Sequence, residues 1–294
     1  DGITSKTYAL SVGNANVYLH DCRIQWFTKY ALTILMRPYA GSWNNTVISN
    51  NEFIDNHRVL DDGEPQGSCM AISRMEDGDT IWEDVTPGEG NFVFVEDNFF
   101  SGSTSPATGG HGGLYVFRHN RVERCLEGDG ALNMHGGHLD YGHPPTRLVE
   151  VYENTFIKTP EDDPNYTPHD NGILESFGGQ FIVHNNLIDG YQIGAQITMD
   201  AGEYEQPWPE GTCNPGYTSL MNYGENHTGT DPSTYGEDDA FVWGNTYKNM
   251  GANPTKLHVE QDPDRPLIEE DRDYHFSQRP GYTPYPYPHP RRTS

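Results

Sequence analysis

One six-residue pattern recurs seven times along the chain. It consists of an apolar residue, two polar residues, Asn (once Cys), any residue and a second apolar residue. An internal repeat of this kind is the signature of a solenoid, in which each repeat is a structural unit stacked on the next. The pattern predicts a short strand that turns at the Asn, and a solenoid of such units is a parallel β-helix. The copies are Leu19–Ile24, Ile48–Phe53, Val95–Phe100, Phe117–Val122, Val151–Phe156, Val183–Ile188 and Val242–Tyr247.

The spacing of the central position favours a β-helix over an α-helical solenoid. The steps between positions 22, 51, 98, 120, 154, 186 and 245 are 29, 47, 22, 34, 32 and 59 residues. The shortest step is about one bare coil, so the longer steps are one coil plus inserted loops. An α-solenoid would need more regular repeats with a 3.6-residue period, which is absent. The predicted fold class is therefore all-β: a single-stranded right-handed parallel β-helix with long inserted loops.

The repeated Asn residues are predicted to stack in one line over at least six coils. Asn tolerates the left-handed backbone that a tight corner needs, and stacked amides can hydrogen-bond in a ladder. Cys22 is expected to fill the same corner in the first coil. The ladder residues are Asn51, Asn98, Asn120, Asn154, Asn186 and Asn245.

A second strand is predicted after each Asn corner, because apolar and polar residues alternate there. These strands and the repeats define a β-helix domain over residues 1–262 and a tail over 263–294. The tail is rich in Pro and Tyr and reads as an extended, polyproline-like segment. Its aromatic residues would be an apolar liability in water, so we expect it to pack on the solenoid or on a neighbouring subunit. The second strands are Tyr30–Arg37, Ser68–Arg74, Ala131–Gly136, Gly172–Phe177, Ile193–Met199 and Thr255–Gln261.

The charge of the chain excludes two classes of partner. Lys and Arg number 18 against 43 Asp and Glu, which gives a formal net charge of −25. Such a surface repels nucleic-acid phosphates and anionic membranes. No apolar run is long enough for a membrane span. The acidic loops could bind Ca²⁺, which takes oxygen ligands, although none of them has the twelve-residue EF-hand spacing.

The start of the chain and its Cys residues bear on processing and on the redox compartment. The chain opens on Asp1 without Met, so we expect an upstream piece to be missing or removed. The four Cys residues include no CxxC pair, which makes a zinc or redox motif improbable. Disulfides and buried free thiols both remain open for Cys22, Cys69, Cys125 and Cys213.

Outward-facing residues are the candidates for chemistry. The residue after the first apolar position of each repeat should point away from the core, and equivalent residues should lie about 4.8 Å apart on adjacent coils. Aromatic rings stack on sugar faces, and charged forks bind uronate carboxylates. From these rows and the second strands we predict a substrate-binding set: Glu96, Tyr152, Glu175, His184 and Trp243.

A dense cluster on two neighbouring coils supplies the candidate catalytic residues. Gly-rich connections there would allow close backbone approach. A lyase would need a base beside a uronate carboxylate, and a hydrolase would need two carboxylates. Stacked outward rows and tight Gly corners also occur in purely structural solenoids, so both interpretations stand. The predicted catalytic residues are His111, Arg118, His135, His138 and Asp140.

Three stretches of the sequence, which include part of this cluster, carry a resemblance to secreted right-handed parallel β-helix proteins of the pectate-lyase-like type. The pattern comprises Gly112–Asn120, His135-Gly136 and Arg147–Phe156, and the ending Pro280–Pro290 is similar too. The resemblance implies the fold over nearly the whole chain but no particular activity. The polygalacturonase motif set is not met, since Gly110-His111-Gly112 stands without its partner motifs, and the calcium-binding Asp set of pectate lyases cannot be placed.

The function predicted from the sequence is extracellular recognition of a polysaccharide, with lyase or hydrolase cleavage as a further option. The alternative is a structural surface or appendage protein that self-assembles, through its solenoid ends or its tail, without catalysis. Open ends of a β-helix expose unpaired strand edges, which invite assembly unless they are capped.

Overall fold

The computed structural model describes most of the solenoid and the carboxyl-terminal segment. Within these ranges the regular structure is almost entirely β, in three parallel sheets. The predicted right-handed parallel β-helix is confirmed. The described residues are 8–13, 16–28, 30–36, 46–59, 65–66, 68–74, 85–110, 112–125, 131–134, 146–158, 172–176, 179–198, 239–250, 254–260 and 269–293.

The three sheets run the length of the solenoid, and we name them A, B and C. Sheet A contains Tyr8–Gly13, Tyr30–Met36, Ser68–Arg74, Ser105–Gly110, Leu132–Met134, Leu174–Ser176, Ile193–Thr198 and Thr255–Glu260. Sheet B contains Tyr18–His20, Val47–Ser49, Val93–Glu96, Leu114–Arg118, Leu148–Tyr152, Gln180–His184, Ala240–Trp243 and Tyr274–His275. Sheet C contains Arg23–Gln25, Glu52–Ile54, Phe99–Ser101, Arg121–Glu123, Thr155–Ile157, Leu187–Asp189 and Thr246–Lys248.

Each coil visits the sheets in the order A, B, C and then returns to A. Each of the seven described steps from B to C is a two-residue corner that ends in Asn, or in Cys22 at the first corner, so no insertion occurs there. The long inserted sequences follow or precede the strands of sheet A, for example 135–145 after Leu132–Met134 and 199–238 after Ile193–Thr198. An antiparallel pair, Arg58–Val59 with Pro65–Gln66, and a 3₁₀ helix at Pro290–Thr293 lie outside the sheets.

The core is built from inward rows of apolar side chains in register. Val95, Phe117, Val151 and Val183 occupy one such row and are all fully buried. Aromatic rings also stack along the axis, with 4.8 Å between the ring centroids of Phe53 and Phe100. Each coil thus packs on its neighbours through identical positions, which explains why one short pattern suffices to specify the solenoid.

The predicted Asn ladder is present. Each side-chain amide donates from Nδ2 to Oδ1 of the next Asn, at 3.0 Å from Asn51 to Asn98 and 3.1 Å from Asn98 to Asn120. The same Oδ1 accepts the backbone N–H of the preceding Asn, and Nδ2 also donates to strand carbonyls such as that of Ile48. At the first corner the backbone N–H of Cys22 donates to Asn51. The ladder continues through Asn154, Asn186 and Asn245.

The expected backbone role of these Asn residues is wrong. The left-handed conformation falls on the residue immediately before each ladder position, as at Asp97 (φ 54°) and His119 (φ 54°). The side-chain amide of each ladder Asn therefore points inward and replaces the strand hydrogen bonds that are interrupted at the corner. The residue before it adopts the left-handed backbone conformation of the turn. The left-handed set is Asp21, Asn50, Asp97, His119, Glu153, Asn185 and Gly244.

The cysteines of the described residues form no disulfide with one another. Cys22, Cys69 and Cys125 are unbridged in this part of the chain, and Cys213 lies outside it. Cys69 donates to Ser103 Oγ at 3.0 Å, and burial raises the pKa of its thiol to about 12. Such a thiol stays protonated and unreactive.

A search of the described residues for a membrane-crossing helix finds none of sufficient length and apolarity.

Candidate functional site

The predicted outward row lies on sheet B. Glu96, Arg118, Tyr152, His184 and Trp243 stand in register on five consecutive strands. The residues two positions earlier on these strands share the outward face and are mostly apolar: Phe94, Val116, Glu150, Ile182 and Phe241. An outward face rich in apolar residues needs a cover.

The carboxyl-terminal segment supplies this cover. We call residues 279–292 the strap. It runs back along the outward face of sheet B, from Tyr282 beside Trp243 to Arg292 beside Asn50. Gly88 lies against it and has φ +85°, and a Cβ there would come within 2.1 Å of the Thr283 carbonyl oxygen. The strap therefore contacts coils far apart along the solenoid axis.

Arg118 is the centre of the attachment and is fully buried. Its Nε lies 2.8 Å from Oε2 of Glu96, and its Nη2 lies 2.7 Å from the same oxygen. Nη1 donates to Tyr152 Oη at 2.9 Å and to the Tyr285 carbonyl at 2.6 Å, and Nη2 donates to the Pro286 carbonyl at 3.0 Å. A guanidinium has five N–H donors; Arg118 makes four hydrogen bonds, and its Nη2 also forms the ion pair with Glu96.

The rings of Phe94 and Tyr287 lie nearest to this guanidinium, and the Tyr152 ring centroid follows at 5.9 Å. The guanidinium carbon lies 5.0 Å from the Phe94 ring centroid and 5.3 Å from that of Tyr287. Phe94 comes from the sheet and Tyr287 from the strap. Cation–π attraction thus adds to the hydrogen bonds in holding strap and sheet together.

The second oxygen of Glu96 extends the network to the end of the strap. Oε1 accepts the backbone N–H of His289 at 3.1 Å and Nη1 of Arg292 at 3.0 Å. Arg292 also binds the carboxylate of Asp97, and Tyr287 Oη donates to Asp97 at 2.6 Å. The buried carboxylate of Glu96 is therefore balanced by two arginines, one from the solenoid and one from the strap.

A separate anchor lies at Glu150. Its carboxyl accepts Tyr282 Oη at 2.6 Å and the backbone N–H of Gly88 at 2.7 Å. Burial raises the pKa of this carboxyl, which favours its protonated form. Tyr282 also packs on Ile182 and Phe241 in a small apolar cluster outside the main core.

A stack of three rings continues the outward row. The His184 imidazole lies between Tyr152, at 4.8 Å, and Trp243, at 4.3 Å between ring centroids. Tyr282 meets its edge at 5.7 Å. His184 is 4% exposed, and neither ring nitrogen has a hydrogen-bond partner. Burial in this apolar stack lowers the pKa of His184 to about 4.

The folded state should be less stable in mild acid, because His184 lies buried on the strap-covered face. A histidine with a folded-state pKa of about 4 and an ordinary value of 6.5 takes up its proton more readily when unfolded. Its contribution to stability is complete above pH 6.5 and is lost as the pH falls towards 4. We expect His184 to reduce the free energy of unfolding by about 2 kcal/mol between pH 7 and pH 5. His289 in the strap acts in the same direction, since burial lowers its pKa to about 4.

The variant His184→Phe keeps a ring in the stack and removes the titrating group. Urea denaturation at pH 7 and pH 5 should show that about 2 kcal/mol of the acid sensitivity disappears. An unchanged difference between the two pH values would contradict a neutral, buried His184.

Sheet A carries a second outward row, which alternates with the core positions. Thr33, Ala71, Thr108, Asn133, Glu175, Gln196 and His258 stand in register on seven consecutive strands. Glu175 and Gln196 are 6% exposed, whereas His258 is exposed. The buried Oδ1 of Asn133 has no hydrogen-bond partner. In the chain, the inserted sequences follow or precede the strands of this sheet.

The predicted site residues thus divide between two faces. Glu96, Arg118, Tyr152, His184 and Trp243 come together beneath or beside the strap, and Glu175 lies apart on sheet A. The remaining candidates lie outside the described residues: His111, His135, His138 and Asp140. Their roles, and that of Arg118, stay predictions.

The sequence-based site left out the residues that hold the strap. Glu150, Asp97, Tyr282, His289 and Arg292 belong to the buried network. A signal for them existed, since the sheet B strands have apolar residues at both alternating positions, as in Val93-Phe94-Val95. Strands buried on both faces have such continuous apolar runs.

Within the described residues, no group of three or more His, Cys, Asp or Glu side chains is arranged to hold a metal ion.

The comparisons with known proteins assign the chain to no family. The chain matches no protein-family model, no curated protein and no solved structure.

Proposed function

We propose that this protein binds an extended extracellular polysaccharide along the outward face of sheet A. The observation that supports this function most is the row from Thr33 to His258, in which every position except Ala71 places a hydroxyl, amide, carboxyl or imidazole group in register. Equivalent groups on adjacent strands lie about 4.8 Å apart. A regular array of this kind suits a ligand that is itself a repeating, hydroxyl-rich polymer.

Sheet A suits this role better than sheet B. The strap occupies the outward face of sheet B, and its Tyr285 and Pro286 carbonyls accept hydrogen bonds from Arg118, whose other contacts are to Glu96 and Tyr152 of the sheet. Asn133 in the row of sheet A keeps a buried acceptor without a partner. A buried polar group without a partner is costly, so a ligand hydroxyl that donates to it would be bound favourably. Substrate binding by Glu96, Tyr152, His184 and Trp243 would require the strap to leave.

Secretion and a pectate-lyase-like activity belong to the same proposal. The acidic surface disfavours polyanions held by charge alone, so a neutral polymer, or an acidic one bridged by Ca²⁺, fits the charge balance. If the polymer is cut, Glu175 is the described carboxyl in the row and the predicted His and Asp residues follow the adjoining strands in sequence.

Affinity electrophoresis of the full-length protein in gels with neutral and anionic polysaccharides, with and without Ca²⁺, tests this function. We expect retardation by at least one polymer, and about tenfold weaker binding for Glu175→Gln and for His258→Ala, or about 1.4 kcal/mol. The same mixtures are assayed for new reducing ends and for the absorbance of unsaturated products, which separate hydrolysis, elimination and binding alone.

The matched control is Glu52→Gln, an exposed carboxyl on the outward face of sheet C. It changes the net charge as Glu175→Gln does and should leave retardation unchanged. Equal loss in both carboxyl variants, or no retardation by any polymer, would reject the sheet A site and favour the structural alternative.

A further inference from the structure

We propose that the outward face of sheet B is a receptor groove for a proline- and tyrosine-rich tail, and that it accepts the strap of a second copy of this chain as well as its own. The groove runs from Asn50 to Trp243, and the ligand is residues 282–292 in extended form.

The first support is that the groove binds the main chain of the strap, as peptide-binding sites do. Arg118 binds two consecutive main-chain carbonyls, and Glu96 accepts a main-chain N–H of the strap. Main-chain contacts of this kind give affinity, whereas pockets for side chains such as Tyr282 give specificity. The prolines of the strap fix an extended backbone before binding, so less conformational entropy is lost.

The second support is the position of the anchors relative to the turn that precedes them. The Tyr282 backbone N–H donates to the Arg279 carbonyl at 3.2 Å, which closes a turn through Pro280 and Gly281. The anchors described above all lie at or beyond Tyr282, and they contact strands far earlier in the chain. The same contacts can therefore form whether the strap comes from one copy or from another.

The third support is the exposure around this turn. Residues 276–278 are exposed, and the Gly281 Cα faces open space with φ +71°. Among the described residues the exposed large apolar side chains are Trp26, Phe276 (40%) and Tyr287 (45%), and two of the three flank or belong to the strap. Opening the turn would carry the strap away without breaking a buried contact within the solenoid. Exchange of an identical element across a two-fold axis then recovers every contact in both copies.

A substitution at Gly281 distinguishes a strap that binds its own chain from a strap that is exchanged between two copies. Gly281→Val disfavours the left-handed backbone that the turn needs, while a Cβ at this position meets nothing within 4 Å. Gly281→Asn is the matched control, because Asn tolerates this conformation. Light scattering after size exclusion should show the Val variant as a dimer with a dissociation constant at least tenfold below that of the wild type. The Asn variant should behave as the wild type.

A second measurement identifies what joins the copies. A photo-crosslinking benzoylphenylalanine replaces Tyr287 in the Val variant, and copies of natural and ¹⁵N-labelled protein are mixed. We expect crosslinks between light and heavy chains that join the strap to the strands around His119, which stacks on Tyr287 at 3.5 Å. A Val variant that stays monomeric, or dimers whose crosslinks lie within single chains, would overturn the exchange.

Discussion

Replacing Arg118 with alanine should cost about 3–5 kcal/mol in the free energy of unfolding. The substitution removes one of the two cations that balance the fully buried Glu96 carboxylate and takes the Arg118 donors away from two strap carbonyls and Tyr152 Oη. Breaking one partner of a buried ion pair costs more than the pair itself contributes, because the remaining charge stays buried. Urea denaturation at pH 7 measures the loss, and hydrogen exchange over 282–292 shows whether the strap has left the sheet.

Arg121→Ala is the control for this result. Arg121 lies three positions along the chain on sheet C, its side chain is 54% exposed, and it pairs with Glu123 on the surface. Surface pairs contribute up to about 1 kcal/mol, so the control should lie well below the Arg118 variant. Similar losses of unfolding free energy in the two variants would mean that the buried network stabilises the fold no more than a surface ion pair does.

Replacing Asn120 with alanine should cost about 3 kcal/mol, because it interrupts the ladder near its middle. Its Oδ1 accepts both the backbone N–H and the Nδ2 of Asn98, and its Nδ2 donates to the carbonyl of Val95 and to Asn154. Alanine leaves several buried polar groups unpaired, and each unpaired group costs on the order of 1–3 kcal/mol. Thermal and urea denaturation should agree on the size of the loss.

Asn91→Ala provides the comparison at an exposed position outside the ladder. It should change stability by less than about 0.5 kcal/mol. A ladder variant as stable as this control would show that the stacked amides add little to the coil-to-coil hydrogen bonds of the backbone.

The solenoid and its register could be predicted from the sequence because they depend on a repeated local rule. An apolar residue before a corner and an Asn after it reappear in every coil, and alternation then assigns each side chain a direction. The third sheet was not predicted separately, since its strands are three residues long and form the end of the repeated pattern. The strand Ser105–Gly110 was missed because Gly and Pro are unusual inside strands.

The covered face could not be predicted because it depends on contacts between residues that are distant in the sequence. From alternation alone, Arg118 was predicted to be an exposed catalytic residue and Tyr152 an exposed substrate-binding residue. Several residues that carry the family resemblance, among them Arg118, Asn120, Glu150 and Asn154, hold either the strap or the ladder. The resemblance therefore rests largely on residues that build the architecture, which agrees with the finding that it implies no particular activity.

The strap also determines the order in which this molecule can fold. Coils of a solenoid contact only their neighbours, so they can assemble one after another as the chain emerges. The bonds from Arg118 to the Tyr285 carbonyl and from His289 to Glu96 join residues 167 and 193 positions apart. Until the strap has been made, Glu96, Arg118 and Glu150 lack their partners in it. Binding of the strap therefore follows the assembly of these coils, and it couples coils that are not neighbours along the axis.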